Sequence, residues 1–578
     1  MRSLGDGLWA MAILVVLAIG PEVRGEEGWI GKKVVMRLGT DLRIGKQVVK
    51  DTGRPQAASL GHDYGNFGIF RVEMVSGPWL WLVGESRDLR GWSKVEQVVR
   101  YEQAVEYYSA QILAQPTNPV PYLGRGLIRH KLGEWDRAIA DYSEVIRLDP
   151  KAVYAFVNRG SARQVVQDFE RSVADASEAL RLEPDCVAAY LVRGNVRRDQ
   201  GQLDAALADF DRAIRLRPGD AEAHYCRGSA WHVMKKHDRA IAEYDEAITL
   251  ARPGPESVRY HYARGQAWHD LKKLDKAIAD YDEAIRADAK NVDLYVWRGV
   301  ARADKGEFDR AILDFTRATM LKPDTALAYL NRGQAWQEKG EIDLAIDDYD
   351  RAIRLEPKNA LHYDRRGNAW YTKWDFDRAL VDLSEAIRLD PKLAWAYSAR
   401  GYVWLARGDS GRALADYNEA IRLDPTIARS FQGRGMTLHI LGHFEQALAD
   451  LEKAIRLDPD DAQAYRDQAE ILAACPDAKY RDGKKALVLA KKACELTKWQ
   501  DPVVLEVFAA ANAEVGDFEA AVKWQHEAIA RFRDDGSGLR HWAEERLGLY
   551  NGKNPFREPV ARSFPAFAPA ATQVRMTR

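Results

Sequence analysis

Cysteine is scarce: Cys186, Cys226, Cys475 and Cys494 are the four in 578 residues, and no two form a CxxC pair. That excludes a small disulfide-framed fold and offers neither a zinc knuckle nor a thioredoxin-type site. Net charge is lacking as well. Lys plus Arg is 85 and Asp plus Glu is 86, so no global field draws nucleic acid or an anionic membrane. After the first twenty residues no apolar run is long enough to span a bilayer, and no integral membrane segment is expected once the leader is removed. There is no Gly-rich phosphate loop, GxSxG elbow or HExxH pair, so the chain reads as a non-enzyme without a cofactor.

What is present begins with a leader. An apolar run from Leu8 to Ile19 follows Arg2, and Pro21 breaks it. The run is too short for a membrane-spanning helix but suits the core of an export signal. Val23 and Gly25 place cleavage before Glu26, giving a signal peptide over 1–25. A retained membrane anchor is the alternative. The expected location is exported, periplasmic or cell-envelope associated.

The dominant pattern is internal repetition. Arg-Gly recurs with its Gly at 126, 160, 194, 228, 265, 299, 333, 367, 401 and 435. The step is 34 residues, except for one of 37 beside Pro253-Gly254-Pro255. Four residues before each Gly stands an aromatic or His, from Tyr122 to Phe431. Twelve after it stands Ala or Ser, from Ala138 to Ala447. Small residues let two helices approach, rings fill the gaps beside them, and a closing Pro in eight of the ten units, from Pro150 to Pro459, ends the second helix. This pattern resembles the tetratricopeptide-repeat family, whose unit is a helix–turn–helix. The resemblance implies a mainly α chain, a right-handed superhelical solenoid. A capping half-repeat helix over 101–118 precedes ten units over 119–461. Two degenerate units follow over 462–535, then a helix end and Pro/Ala-rich tail over 536–578.

Residues 28–97 differ in texture. Ile69–Val75 alternates as a strand, Ser76-Gly77-Pro78 turns, Trp79–Val83 is a second strand, and Gly91-Trp92 opens a third. The pattern resembles bacterial SH3-like domains, which implies a small β-barrel and, by analogy alone, a cell-wall ligand.

Five constellations follow from the repeat register. An Arg precedes every repeat Gly, and an acidic residue follows fifteen later, as in Arg298 with Asp314 and Arg332 with Asp348. Matched opposite charges predict internal ion pairs between paired helices. Trp231, Trp268, Trp336, Trp370 and Trp404, three residues after the Gly, are expected in packing. In the family, the inner surface comes from the first helix of each unit and binds peptides or helices. Carried over by register, that surface includes Leu123, Leu127, Tyr154, Val157, Tyr225, His232, Tyr262, His269, Tyr371, Trp395, Tyr402 and Leu405. These are expected to be free of packing and to form a groove for a protein or peptide ligand. The Lys, Arg and Asn set of a carboxylate clamp is missing. His232 and His269 occupy adjacent units. With no third ligand evident, they read as polar groove contacts and no metal site is expected. Cys475 and Cys494 are placed to bridge the two helices of the eleventh unit, with two free thiols as the alternative. The expected function is an exported scaffold that binds proteins in its first-helix groove. The rival is a structural component of an envelope complex acting through self-association.

Overall fold

The computed structural model describes residues 33–36, 70–76, 79–84, 90–94, 98–251, 254, 257–532 and 539–558. The expected signal peptide and the end of the tail lie outside these residues. The chain divides into two compact units, residues 1–289 and 290–578.

The first unit opens with an antiparallel sheet. Its strands are β1 (Lys33–Met36), β2 (Phe70–Ser76), β3 (Trp79–Gly84), β4 (Arg90–Lys94) and β5 (Val98–Arg100), in the order β4-β3-β2-β1-β5. Among the described residues β4 and β5 are the two edges, so closure into a barrel is not shown. β5 runs directly into a 3-10 turn, Tyr101–Gln103, and a single helix, Ala104–Ala114. Five helical pairs follow: Pro119–Lys131 with Trp135–Leu148, Val153–Val165 with Phe169–Leu182, Val187–Asp199 with Leu203–Leu216, Ala221–Val233 with His237–Leu250, and Val258–Asp270 with Leu274–Ala287.

The second unit has seven pairs. These are Val292–Asp304 with Phe308–Leu321, Ala326–Glu338 with Ile342–Leu355, Ala360–Thr372 with Phe376–Leu389, Ala394–Ala406 with Ser410–Leu423, Ala428–Ile440 with Phe444–Leu457, Ala462–Ala474 with Gly483–Leu496, and Pro502–Glu514 with Phe518–Arg531. A last helix, Leu539–Asn551, closes the described chain. The first helix of each pair is called A below and the second B.

Local chemistry explains the boundaries. Asp220 Oδ1 accepts from the amides of Glu222 and Ala223 at 3.1 and 3.3 Å, satisfying donors that a helix start leaves unpaired. The A–B turns need a left-handed residue. Gly306 and Gly340 supply it with φ of 84° and 83°. In the pairs beginning at Ala221 and Val258, Lys235 and Lys272 take that conformation instead.

The repeat Gly does more than bring backbones together. A Cβ on Gly194 would lie 2.5 Å from Phe210, and one on Gly299 2.6 Å from Phe315. The ring sixteen residues after the Gly therefore sits in the space that the missing side chain leaves. Tyr142, Phe210, Tyr244, Tyr281, Phe315, Tyr349 and Tyr417 fill this place and are among the largest fully buried side chains.

The cysteine bridge raised by the sequence is not formed. Cys475 and Cys494 are both buried free thiols. Cys475 packs with Leu438, Leu451 and Ile471, while Cys494 packs in a second cluster with Ala493, Val504 and Val507. Each sulfur is used as apolar filling in its own layer.

Candidate functional site: the A-helix face

The Arg-Gly arginines pair with carboxylates of the B helices. Arg298 donates to both carboxylate oxygens of Asp314 at 2.5 and 3.0 Å, and Arg332 to both of Asp348 at 2.7 and 2.8 Å. Asp314 and Asp348 are buried. The same guanidiniums also reach backwards. Arg159 donates to Ser143, Arg332 to Thr316 and Arg366 to Asp350, each on the preceding B helix. One Arg thus ties an A helix to two B helices, and the ring four residues before the Gly lies against it, as Tyr329 does against Arg332 at 5.4 Å. The residue three after the Gly is Arg in four units, Trp in five and Leu438 in the last. Arg129, Arg163, Arg197 and Arg302 add a second guanidinium to the buried Asp. Where Trp stands instead, the ring packs half-buried and carries a cation. Arg378 lies 4.6 Å from the Trp370 ring and Arg412 4.6 Å from the Trp404 ring.

In the first unit, the A-helix face is largely self-filled. Leu123 and Leu127 are core residues, 2% and 7% exposed, because they pack with Tyr142, Val145 and Ala155. The expectation that they were free for a ligand is corrected. Tyr154 and Val157 are half-buried against neighbouring clusters. Tyr225 packs on Tyr260 and Tyr244, ring centres 5.3 and 5.9 Å apart, with the Arg259 guanidinium 5.3 Å away. Arg259 in turn pairs with Glu222. Tyr262 packs on Tyr281 at 6.1 Å and accepts from Gln266 at 3.0 Å. His269 is half-buried.

His232 was paired with His269 by register, but its neighbours are different. Its Nε2 lies 2.8 Å from Asp270 Oδ2, and its ring meets His237 edge-on at 5.2 Å. His237 Nδ1 lies 3.8 Å from the same Asp270 oxygen. His232 thus meets a B-helix start, His237, and the end of the next A helix, Asp270.

In the second unit, Leu405 is also a core residue, packed with Ala413 and Tyr417, which corrects the same expectation there. The Tyr402 hydroxyl donates to the Arg429 carbonyl and Gln432 Oε1 at 3.0 and 2.9 Å, and its ring meets Tyr417 at 5.4 Å. Tyr371 rests on Phe376. The residues left open lie six before the Gly: Trp395 is 45% exposed and Leu327 46%, with Leu361 partly buried between them in sequence register.

Further along this unit, the C-terminal ends of the A helices are occupied by the chain itself. After the helix Leu539–Asn551 the chain touches three successive A helices at those ends. Glu558 Oε2 is 2.7 Å from His439 Nε2 on the first, and the Glu558 amide donates to the Ala474 carbonyl at the end of the second at 2.9 Å. Arg557 pairs with Glu514 on the third at 2.6 Å. Phe556 packs beneath the Arg546 guanidinium at 4.1 Å. Glu558 is 6% exposed and His439 Nε2 is thereby used. The sequence expects a helix end and a Pro/Ala-rich tail over 536–578; a helix forms over Leu539–Asn551, and residues 559–578 lie outside the described residues. The helix over 539–551 buries Ala543 and Tyr550, and the Glu558 carboxylate after it meets the half-buried imidazole of His439.

Among the described residues no helix is long and apolar enough to cross a membrane. No curated protein sequence matches the chain. Solved structures with a similar arrangement include yeast Tom70, 17% identical over 75% of this chain and 96% of that one, with a TM-score of 0.37. The APC/C hetero-tetramer Cut9–Hcn1 is 13% identical over 71% and 93%, with a TM-score of 0.40. YrrB, described as a TPR protein with an unusual peptide-binding site, is 24% identical over 32% and 95%, with a TM-score of 0.26. Tetratricopeptide-repeat family models match residues 126–164, 157–221, 191–255, 236–292, 292–325, 326–359, 366–426 and 401–470. Together they cover more than half of the chain, and with the repeating helical pairs they make it a member of the tetratricopeptide-repeat family.

Proposed function

We propose that this protein is an exported, non-catalytic scaffold that binds an extended protein segment on the A-helix face of residues 290–578. The observation that carries the reading is the docked segment Phe556–Glu558. It uses one buried carboxylate, one backbone hydrogen bond and one ion pair to reach three successive A helices, and main-chain bonds combined with side-chain contacts are how an extended peptide is held on a protein surface. Leu327 and Trp395 are exposed near the N-terminal ends of two other A helices of this unit. Aromatic anchors beside polar contacts are what recognition surfaces concentrate. Export rests on the Leu8–Ile19 run and the break at Pro21. The strand order β4-β3-β2-β1-β5 and the Trp-rich hairpin support an SH3-like domain ahead of the repeats, with a cell-wall ligand as the analogy implies.

The test is a crosslinking pull-down from envelope extract, with residues 26–578 as bait and a folded Leu327→Ser/Trp395→Ser variant as control. A partner held by the first and lost by the second supports the reading. Equal capture by both baits, or none, overturns it. Concentration-dependent self-association abolished by the same variant would instead favour the assembly role.

A further inference from the structure

The second histidine in the turn between Ala221–Val233 and His237–Leu250 has no counterpart in the other repeats. Nine residues after the repeat Gly, the other nine full units carry Trp135, Phe169, Leu203, Leu274, Phe308, Ile342, Phe376, Ser410 and Phe444. This residue begins the B helix, and its usual role is apolar. Trp135 packs edge-on against His130 at 4.8 Å, and Phe444 lies 5.8 Å from His439. In the fourth unit the pair is two imidazoles, His232 and His237, and the following A helix ends in Asp270. No other unit combines His at both positions with a carboxylate at the third.

Ordinary packing accounts for only part of this cluster. The His232–Asp270 contact has a parallel in Gln164, which donates to Asp199 at 2.7 Å from the same two register positions. His237 has no such parallel. Its Nδ1 is shielded from solvent and has no hydrogen-bond partner. Leaving a buried ring nitrogen unpartnered is unfavourable, whereas the Phe or Leu of other units carries no polar atom to satisfy.

We propose that His232 Nε2, His237 Nδ1 and an Asp270 oxygen form a binding site for a divalent transition-metal ion of the zinc class. One ligand atom from each residue lies within 4.8 Å of the others. In tetrahedral zinc, with ligands at about 2.0–2.1 Å, donor atoms are about 3.3 Å apart. The 2.8 and 3.8 Å separations bracket that value, so small side-chain rotations close the site. The ion displaces the proton between His232 and Asp270 and gives the orphan Nδ1 a partner, with both imidazoles bound neutral. Two nitrogens and one carboxylate select zinc, cobalt or nickel over magnesium or calcium, which demand more oxygens. Lys235 and Lys236 precede His237, and Lys272 and Lys273 follow Asp270, a setting less suited to a hard cation held by charge alone. Asp270 is half exposed, so the fourth position opens to water. The bound ion would clamp the A–B turn of one repeat to the A helix of the next.

The test uses the metal-free, untagged full chain titrated with Co²⁺. One equivalent should produce the visible absorption of low-coordinate cobalt, and Zn²⁺ should abolish it. His237→Phe restores the residue of other units, so its helical content and melting without metal should match the parent. Its cobalt signal should be lost. Asp270→Asn is the second variant and should weaken binding at least tenfold. No saturable cobalt signal in the parent, or equal binding in either folded variant, overturns the site.

Discussion

The Arg-bearing and Trp-bearing repeats make opposite statements about how a buried aspartate survives losing its principal arginine. In the unit beginning at Ala326, Arg332 supplies both hydrogen bonds to Asp348, and Trp336 stands where a second arginine would be. In the unit beginning at Val292, Arg302 donates to Asp314 at 2.8 Å beside Arg298. Arg332→Leu therefore leaves a buried carboxylate without its guanidinium. Breaking such a pair costs about 3–5 kcal/mol, and the partial exposure of the Arg332 side chain places the value near about 3 kcal/mol. Arg298→Leu leaves Arg302 in place and should cost only about 1–2 kcal/mol. In a solenoid the loss falls mainly on one repeat and its neighbours. Hydrogen exchange followed by mass spectrometry reads it directly. Peptides from 326–355 should open about 100-fold more readily in Arg332→Leu, since about 1.4 kcal/mol is tenfold. Peptides from 292–321 should change about tenfold in Arg298→Leu, with partner binding on the A-helix face unaltered. Equal costs, or a larger cost for Arg298→Leu, would refute the second-arginine argument. A loss of partner binding at unchanged protection would refute the structural assignment of the ladder.

Gly299→Ala should lower stability by about 1–3 kcal/mol in urea unfolding, because its Cβ would meet Phe315 at 2.6 Å. Gly548→Ala, a helical site with nothing within 4 Å of its Cβ, should instead be stabilising by about 0.5–1 kcal/mol; a loss there would show that the open space is misjudged. Alkylation of the unfolded, unreduced chain should label all four cysteines, and labelling of only two would restore the bridge. Docking of the 552–558 segment should depend on pH. Burial lowers the His439 imidazole, but the hydrogen bond and charge of Glu558 outweigh it, and its pKa rises above 6.5. A raised pKa stabilises the docked state fully below the free value, and that contribution is lost as pH rises through the docked value. Limited proteolysis of the tail should therefore accelerate as pH rises above 6.5, and Glu558→Gln should flatten the profile. Unchanged cleavage across that range would refute the imidazole–carboxylate link.

The repeat architecture was legible because its period is set by local demands that every unit repeats. Gly299 must make room for Phe315, and Arg298 must find Asp314, so both signals return every 34 residues. The ring sixteen after the Gly carried that period too, as Tyr244, Tyr281 and Tyr349 show, and an alignment of the chain on itself would have revealed it. The groove was harder to read, because register says which face a residue occupies but not what the next helix places over it. Leu123, Leu127 and Leu405 occupy inner positions yet are covered by neighbouring side chains. Leu327 and Trp395 remain open six residues before their glycines. The most informative features break the period. His237 replaces an apolar helix start, and Glu558 lies 119 residues from the His439 it meets. Neither follows from repeat consensus, because each depends on one unit differing from its neighbours. In a solenoid, what every unit shares specifies the fold, so recognition has to be built from departures such as these.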